Sequence, residues 1–229
     1  MILFENADVL ALDKPPGVSM ATSSKEGKSA EDAVRRLLAA CGLVAPDPLP
    51  LLVHRLDAGT SGVVLFAKSP AAHRALSLSL QERRARKTYR ALVWGHPVPA
   101  KGTIDLALAR DPKDGRKMRV WDDGKPSVTR YATLRRFPSL ADLELHPETG
   151  RTHQIRVHLS AKGHPIVGDD FYGGASRWHG VRDRALREAL ARLTRPLLHA
   201  RRIEIPEMGL DVEAHLPPDN ERVLALLRR

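Results

Sequence analysis

The residues best suited to do chemistry lie in the stretch 54–62, which reads His-Arg-Leu-Asp-Ala-Gly-Thr-Ser-Gly. Its carboxylate, Asp57, follows the apolar run 51–53, and the glycine-containing turn after it leads into the apolar segment 63–67. Glycines permit backbone angles that other residues avoid and let a ligand approach closely. The pattern therefore predicts that Asp57 is held at the mouth of a buried strand. The structural alternative is a carboxylate that only caps its own turn.

A group of histidines offers a second kind of chemistry. His153 and His158 have a spacing found among paired zinc ligands, and His146 and His164 are near them in sequence. A zinc hydrolase would need further ligands, and a chain with one cysteine has no Cys pair to supply them. The sequence therefore favours a site without a metal ion.

A hydrolytic triad is a third possibility, because the stretch also contains the residue types of a triad in His54, Asp57 and Ser61. Residues so close along the chain are not expected to reach the geometry of a triad. Neither a phosphate-binding loop of the form GxxxxGK[ST] nor a dinucleotide-binding fingerprint occurs in the chain. We therefore expect a reaction that needs no cofactor.

Four segments resemble, in order, the motifs of the RluA-type RNA pseudouridine synthases, and together they span roughly residues 8 to 204. One such match would be weak, whereas four in family order are specific. The segments are Asp-Lys-Pro-Pro-Gly at 13–17, the stretch 54–62, Lys-Thr-Tyr at 87–89, and Gly-Arg-Thr-His-Gln-Ile-Arg-Val-His at 150–158 with Gly-His-Pro-Ile-Val-Gly-Asp at 163–169.

The resemblance implies that Asp57 is the catalytic carboxylate, that Arg156 is its cationic partner, and that Tyr89 stacks on a uracil flipped out of the RNA. An adjacent guanidinium favours the ionised form of a carboxylate. Asp57 would attack C6 of uracil, attack C1′ of the ribose, or remove a proton from C2′. All three routes need an ionised carboxylate near the glycosidic bond, so the sequence does not choose among them.

Four further residues belong to the substrate-binding site that the resemblance implies. Arg55 is expected to brace the loop or to contact phosphate, and Arg151 has the same expected role. Ile166 matches a family position that packs on the base. Lys14, at the end of the first strand, is also expected in substrate binding.

Several strands with helices between them predict an α+β domain with a mixed, largely antiparallel central sheet flanked by helices. The resemblance implies the pseudouridine synthase catalytic fold with a central cleft, as a single domain over residues 1–229. Because the first motif begins by residue 13, the sequence predicts the short form of the family, without an N-terminal S4-like RNA-binding domain. RNA recognition is then expected within the catalytic domain.

Local signals predict where the helices and strands begin. Four residues are expected to be the N-caps of helices, namely Ser29, Ser69, Thr152 and Asp183, and a short amphipathic helix is expected from Asp219. Alternating or apolar runs predict strands over the ranges 9–12, 88–94, 117–121, 127–134 and 140–145.

The charge of the chain indicates a polyanionic partner. Lys and Arg total 37 against 27 Asp and Glu, which gives a net charge of +10 and a pI near 10.2. Five of the eight residues 83–90 are basic, and they adjoin the tyrosine motif. We therefore expect RNA as the partner, as stem-loops of ribosomal or transfer RNA. The alternative is a basic protein that binds RNA without catalysis.

The lone cysteine and the absence of a leader or a long apolar run favour a soluble protein of the reducing cytoplasm. We expect a monomer with no membrane or protein partner.

Overall fold

The computed structural model of the chain describes residues 1–22 and 29–229. In these residues the strands are β1 (Ile2–Glu5), β2 (Val9–Lys14), β3 (Leu51–Leu52), β4 (Ser61–Ala67), β5 (Arg86–Trp94), β6 (Lys101–Asp105), β7 (Leu108–Arg110), β8 (Met118–Val120), β9 (Val128–Arg136), β10 (Leu140–Pro147), β11 (Leu198–Ile205) and β12 (Leu210–Glu213). The α-helices are α1 (Ala30–Ala40), α2 (Pro70–Gln81), α3 (Gln154–Ala161), α4 (Arg184–Ala191) and α5 (Pro218–Leu227). Short 3-10 helices lie at Ser176–Gly180 and Pro206–Met208. The fold is therefore α+β with mostly antiparallel strands, as predicted.

The chain divides into two compact units. The first unit contains Met1–Lys87 and Ala200–His215, and the second contains Thr88–His199 and Leu216–Arg229. The sequence predicts a single catalytic domain over residues 1–229. Two compact units can belong to one domain, so this remains a prediction.

The centre of the first unit is β4. Its strands follow the order β1-β2-β4-β11, with β3 paired to β4 and β12 to β11. All seven residues of β4 are buried. Val63 and Leu65 of this strand belong to one core cluster with Leu76 of α2 and Ile203 of β11. Burial of these apolar side chains places the stretch 54–62 at the entrance of a strand inside the core.

The second unit has the strand order β5-β10-β9-β6, and β7 and β8 form a separate two-stranded hairpin. Leu145 of β10 lies opposite Tyr89 of β5 in the antiparallel register. The apolar face of α3 packs Ile155 and Leu159 into a core cluster with Leu143. A second cluster holds the apolar faces of α4 and α5.

Most local predictions are confirmed. Ser29 caps α1 with a reciprocal capping box, Ser69 caps α2 ahead of a proline in the first turn, and Asp183 caps α4. The helix expected from Asp219 is present as Pro218–Leu227. The strands expected between residues 9 and 145 are present with shifted ends, since for example β5 begins at Arg86 instead of residue 88.

The N-cap expected at Thr152 is wrong. The helix α3 begins at Gln154, and the residue before it, His153, has a left-handed φ of 55°. The helix therefore begins one residue later than predicted, and no side-chain hydrogen bond caps it. The side-chain oxygen of Gln154 accepts the backbone N–H of Arg151, which precedes the helix.

Within the described residues, every helix is too short or too polar to span a bilayer.

Candidate active site

The turn that carries Asp57 is closed by its own backbone. The N–H of Thr60 donates to the carbonyl oxygen of Asp57 at 3.0 Å, just before β4 begins. Asp57 is half-buried, and Leu56 before it is buried. Gly62 has a φ of 111°, and a Cβ atom there would lie 2.1 Å from the carbonyl oxygen of Ala200. A side chain at Gly62 would therefore push β11 away from β4.

Lys14 joins the first motif to this turn. Its side chain is 0% exposed, and its ammonium donates to the carbonyl oxygens of Pro15 at 3.0 Å, Ala58 at 3.0 Å and Thr60 at 2.7 Å. A buried charge needs such acceptors, and carbonyl oxygens are suitable ones for an ammonium. The substrate contact expected for Lys14 stays a prediction. The contacts observed are those of a residue that holds the Asp57 turn.

We expect Lys14→Met to lower the free energy of unfolding by about 2–4 kcal/mol, because it leaves buried carbonyl oxygens without their charged donor. Urea unfolding followed by circular dichroism measures the change. The matched control is Lys68→Met, since the Lys68 ammonium is on the surface and pairs with Glu5 at 2.8 Å. A Lys14→Met variant as stable as the control would contradict the role of Lys14.

His54 ties the beginning of the stretch to β4. Its Nε2 accepts the backbone N–H of Leu65 at 3.1 Å, so that nitrogen carries no proton. Burial, and to a smaller extent the charge of Lys87, lowers the pKa of His54 from 6.5 to about 3. The pKa of Lys87 is itself lowered by burial. His54 is therefore a neutral structural acceptor, which gives it no role as a triad base.

The lowered pKa of His54 predicts a loss of stability in acid. A histidine whose folded pKa lies below its unfolded value stabilises the fold fully above pH 6.5, and this contribution is lost as the pH falls toward 3. Between pH 7 and pH 5 the loss amounts to about 2 kcal/mol. We expect urea unfolding of the wild type to show this loss beyond that of His54→Gln, whose amide keeps an acceptor but does not titrate. Equal pH dependence of the two proteins would contradict the assignment.

Arg156, in the second unit, is held by a carboxylate that the sequence analysis gave no role. Its Nε donates to Oδ2 of Asp169 at 2.8 Å, and its Nη2 donates to Oδ1 at 2.9 Å. Both side chains are buried, with 8% and 0% exposure. The guanidinium carbon also lies 5.6 Å from the ring centroid of Phe171 and 5.1 Å from that of Tyr172. The bidentate pair and the two rings fix the orientation of the guanidinium. Asp169 is the last residue of the motif segment 163–169. Its place in that segment is the sequence feature that could have indicated a role in the site.

Gln154 is a second residue that the sequence analysis missed. Its Oε1 accepts the Thr149 hydroxyl at 2.7 Å and the Arg151 N–H at 3.1 Å. Its Nε2 donates to the carbonyl oxygen of Val128 at 2.9 Å and to the hydroxyl of Thr129 at 3.0 Å. The buried amide is therefore fully hydrogen-bonded and ties the turn before α3 to β9.

His158 uses both ring nitrogens within the second unit. Nε2 lies 3.1 Å from the carbonyl oxygen of Leu106, so the proton is on Nε2, and Nδ1 accepts from the Thr129 hydroxyl at 2.9 Å. Burial lowers the pKa of His158, which favours this neutral form. Among residues 1–22 and 29–229, no group of three His, Cys, Asp or Glu side chains is arranged to hold a metal ion. The zinc alternative therefore has no ligand set in that part of the chain.

Tyr89 and Ile166 belong to one core cluster of the second unit. Ile166 is 0% exposed and forms an isolated antiparallel bridge with Val93 of β5. Tyr89, on the same strand, is half-buried and packs against this cluster. The expected contacts of both residues with a base stay predictions.

Arg55 and Arg151 are exposed, one in each unit. Arg151 lines a cavity of about 560 Å³ together with two further cations, Arg110 and Lys125, and one carboxylate, Asp123. The role expected for Arg55, to brace its loop or contact phosphate, stays a prediction.

The basic run 83–90 is less available to RNA than its sequence suggests. Arg84 is paired with both Glu82 and Glu207 at 2.8 Å, and Arg90 donates through two nitrogens to the carboxylate of Asp142. These cations are already balanced by carboxylates. The hairpin of β7 and β8 offers a second basic region, with cations at Arg110, Lys113, Arg116, Lys117 and Arg119, of which Arg116 is paired with Asp114.

The chain matches known proteins over nearly its whole length. Residues 8–161 match the family model described as RNA pseudouridylate synthase. The ribosomal large subunit pseudouridine synthase D of Pseudomonas aeruginosa is 38% identical over 232 residues, which cover 100% of this chain and 72% of that protein. The protein of the same name from Escherichia coli O6:H1 is 35% identical, covering 97% of this chain and 68% of that protein.

A solved structure agrees with these relatives. The structure of human RNA pseudouridylate synthase domain containing 4 superposes with a TM-score of 0.78 at 28% identity, covering 99% of this chain and 92% of that one. The chain therefore belongs to the RNA pseudouridylate synthase family. It is an RNA pseudouridine synthase, an enzyme that isomerises uridine in RNA to pseudouridine. This conclusion sets aside the alternative of a protein that binds RNA without catalysis.

Proposed function

We propose that this enzyme isomerises specific uridines in a structured stem-loop of large-subunit ribosomal RNA, with Asp57 as the catalytic carboxylate. The observation that carries the proposal is the Asp57 turn, which the buried Lys14 ammonium holds through two of its carbonyl oxygens. A carboxylate must be held in this way to act at one bond of a bound nucleotide. The names of the two bacterial relatives support ribosomal RNA as the substrate.

The reaction breaks the bond between C1′ of the ribose and N1 of uracil and forms a bond between C1′ and C5. C5 loses a proton and N1 gains one, so the product has the composition of the substrate. In this proposal Asp57 acts beside the glycosidic bond, at C6, at C1′ or on the C2′ proton, and each route needs its ionised form.

We propose that Arg156 keeps Asp57 ionised. The bidentate pair with Asp169 uses two of the five N–H donors of the guanidinium, and its orientation is set by that pair. A guanidinium fixed in this way supplies positive charge without further reorganisation during the reaction. Arginine also stays protonated at every pH at which the enzyme would work.

We propose that Tyr89 stacks on the flipped uracil and that Ile166 packs on the same base. Tyr89 is half-buried and packs against the core cluster that contains the buried Ile166, so this cluster would support the tyrosine ring where it meets the base. A base removed from its stack loses stacking energy, which contact with an aromatic ring partly replaces.

The basic hairpin, which we define as residues 108–120, is the proposed main contact for the RNA backbone. Its cations, with Arg151 and Lys125 beside the adjoining cavity, form a region of positive charge within the second unit. Contacts with phosphates position an RNA but do not read its sequence. Specificity would then come from a loop that releases its uridine at low cost. In this proposal the enzyme acts as a monomer.

Mapping of pseudouridine across total RNA, with and without the gene, tests the substrate. We expect one or a few pseudouridines of large-subunit ribosomal RNA to disappear and to return with the wild-type gene but not with a gene for Asp57→Asn. If pseudouridines of transfer RNA disappear instead, transfer RNA is the substrate and the proposed chemistry still stands. An unchanged map would contradict the proposal.

A further inference from the structure

The hydroxyl of Tyr172 joins the basic hairpin to the start of α3. It accepts the backbone N–H of Met118 in β8 at 2.9 Å and lies 2.7 Å from Nδ1 of His153. A phenol hydroxyl both donates and accepts, so it forms this hydrogen bond with either tautomer of His153. One side chain thus links the hairpin to the residue that precedes α3.

His153 has a backbone conformation that needs support. Its φ of 55° is unfavourable for a residue with a side chain, and no side-chain hydrogen bond caps the helix there. Its ring lies edge-on to Phe171 and Tyr172, with centroids 6.0 and 5.6 Å away. These contacts and the Tyr172 hydroxyl hold the start of the helix whose third residue is Arg156.

The ring of Phe171 contacts residues of the hairpin as well as Arg156. Arg116 and Lys117 lie over its ring at 5.8 and 5.5 Å, and the guanidinium of Arg156 lies 5.6 Å from the same ring. Two cations of the hairpin and the arginine of the site therefore share one aromatic ring. A movement of the hairpin would therefore change the contacts of the ring that lies beside Arg156.

The cavity of about 560 Å³ depends on this docking. Leu108, Arg110 and Met118 of the hairpin form part of its wall, and Gly150–Thr152 form another part. Its volume lies within the range of ligand sites in proteins, and its three cations outnumber the one carboxylate of Asp123, which favours an anion. Movement of the hairpin away from the turn at 150–152 would widen the cavity and separate these cations.

We propose that Tyr172 is a positioning residue that docks the basic hairpin against the start of α3, and that the cavity formed in this way binds a nucleotide of the RNA next to the target uridine. The nucleotide phosphate would meet Arg110, Lys125 and Arg151, which line the cavity. This proposal rests on the proposed function, because it takes the bound polyanion to be the RNA substrate.

Tyr172→Phe tests the docking, because it removes the hydroxyl and keeps the ring. We expect hydrogen exchange of the Met118 amide to accelerate at least about tenfold, since its acceptor is lost. The matched control is Tyr131→Phe, whose hydroxyl donates to the carbonyl oxygen of Pro99 in the same unit at 3.1 Å. In that control the Met118 amide should exchange at the wild-type rate.

The probe for RNA binding is an unmodified in vitro transcript of large-subunit ribosomal RNA. We expect Tyr172→Phe to raise KM about five- to tenfold while kcat changes by less than about twofold, because the remaining ring and the Asp169 pair keep the Arg156 guanidinium in place. Lys125→Gln should raise the Kd for the transcript about fivefold and leave Met118 exchange unchanged. Its control is Lys101→Gln, a change of an exposed lysine outside the cavity wall.

Two results would overturn the docking role of Tyr172. One is wild-type exchange at Met118 in Tyr172→Phe, and the other is a fall of kcat with an unchanged KM. A Kd of Lys125→Gln equal to that of Lys101→Gln would refute the nucleotide site in the cavity. Failure of the proposed function is distinguishable, because it would appear as an absence of turnover in the wild type, while exchange and binding are measured without turnover.

Discussion

Asp57→Asn is expected to lower the rate of pseudouridine formation by at least about a thousandfold, which is within the range for removal of a catalytic acid or base. The substitution keeps the shape of the side chain and removes only the ionised carboxylate. The turn should persist, because the Thr60 N–H donates to the backbone oxygen of residue 57 and not to the side chain. The RNA affinity should therefore stay within a few-fold of the wild type.

Release of tritium from RNA that contains 5-tritiated uridine measures turnover, and filter binding measures affinity. Asp8→Asn is the matched control, because Asp8 is an exposed aspartate of the same unit. It should keep full activity. If Asp57→Asn turns over RNA at nearly the rate of this control, Asp57 is not the catalytic carboxylate.

Arg156→Met is expected to lower the single-turnover rate at saturating enzyme about a hundredfold or more, whereas Arg151→Met should mainly weaken RNA binding. The structural reason is the different surroundings of the two guanidinium groups. Arg156 is buried and fixed by Asp169, while Arg151 is exposed beside the cavity. A fixed buried cation acts on the reacting groups, and an exposed one adds affinity through phosphate.

Loss of Arg156 also leaves the Asp169 carboxylate buried without its cation, which costs about 3–5 kcal/mol. The double variant Arg156→Met with Asp169→Asn removes that charge, so a folded protein can be assayed, and thermal unfolding identifies which variants are folded. We expect the double variant to be folded and inactive. Equal single-turnover rates for folded variants at positions 151 and 156 would show that the division of roles is wrong.

The net charge of the chain predicts the kind of partner but not the residues that bind it. A net charge of +10 predicts a polyanionic partner, and the family relationship agrees with RNA. Composition did not predict which cations remain available. In the run 83–90, Arg84 and Arg90 are paired with carboxylates from other parts of the chain, and only the fold shows this.

The aromatic contacts around Arg156 could not be predicted from the sequence either. The motif segments predicted that Arg156 matters, and they extended to Asp169 without giving it a role. Phe171, Tyr172 and the hairpin were outside these segments. Their connection to His153 depends on how the hairpin folds back on α3, and no local pattern contains that information.

The sequence by itself determined the family, the helix caps at Ser29 and Ser69, and an Asp57 turn at the entrance of a buried strand. The caps and the turn depend on residues within a few positions of one another, and the family on four short segments in a set order, so the printed order of residues contains them. Only the tertiary structure decided that Lys14 holds the Asp57 turn, since its ammonium reaches a carbonyl 46 residues along the chain. A buried charge takes its partner from whatever the packing of strands and helices brings within hydrogen-bonding distance. That partner is fixed by the closed fold and not by the neighbours of Lys14 in sequence.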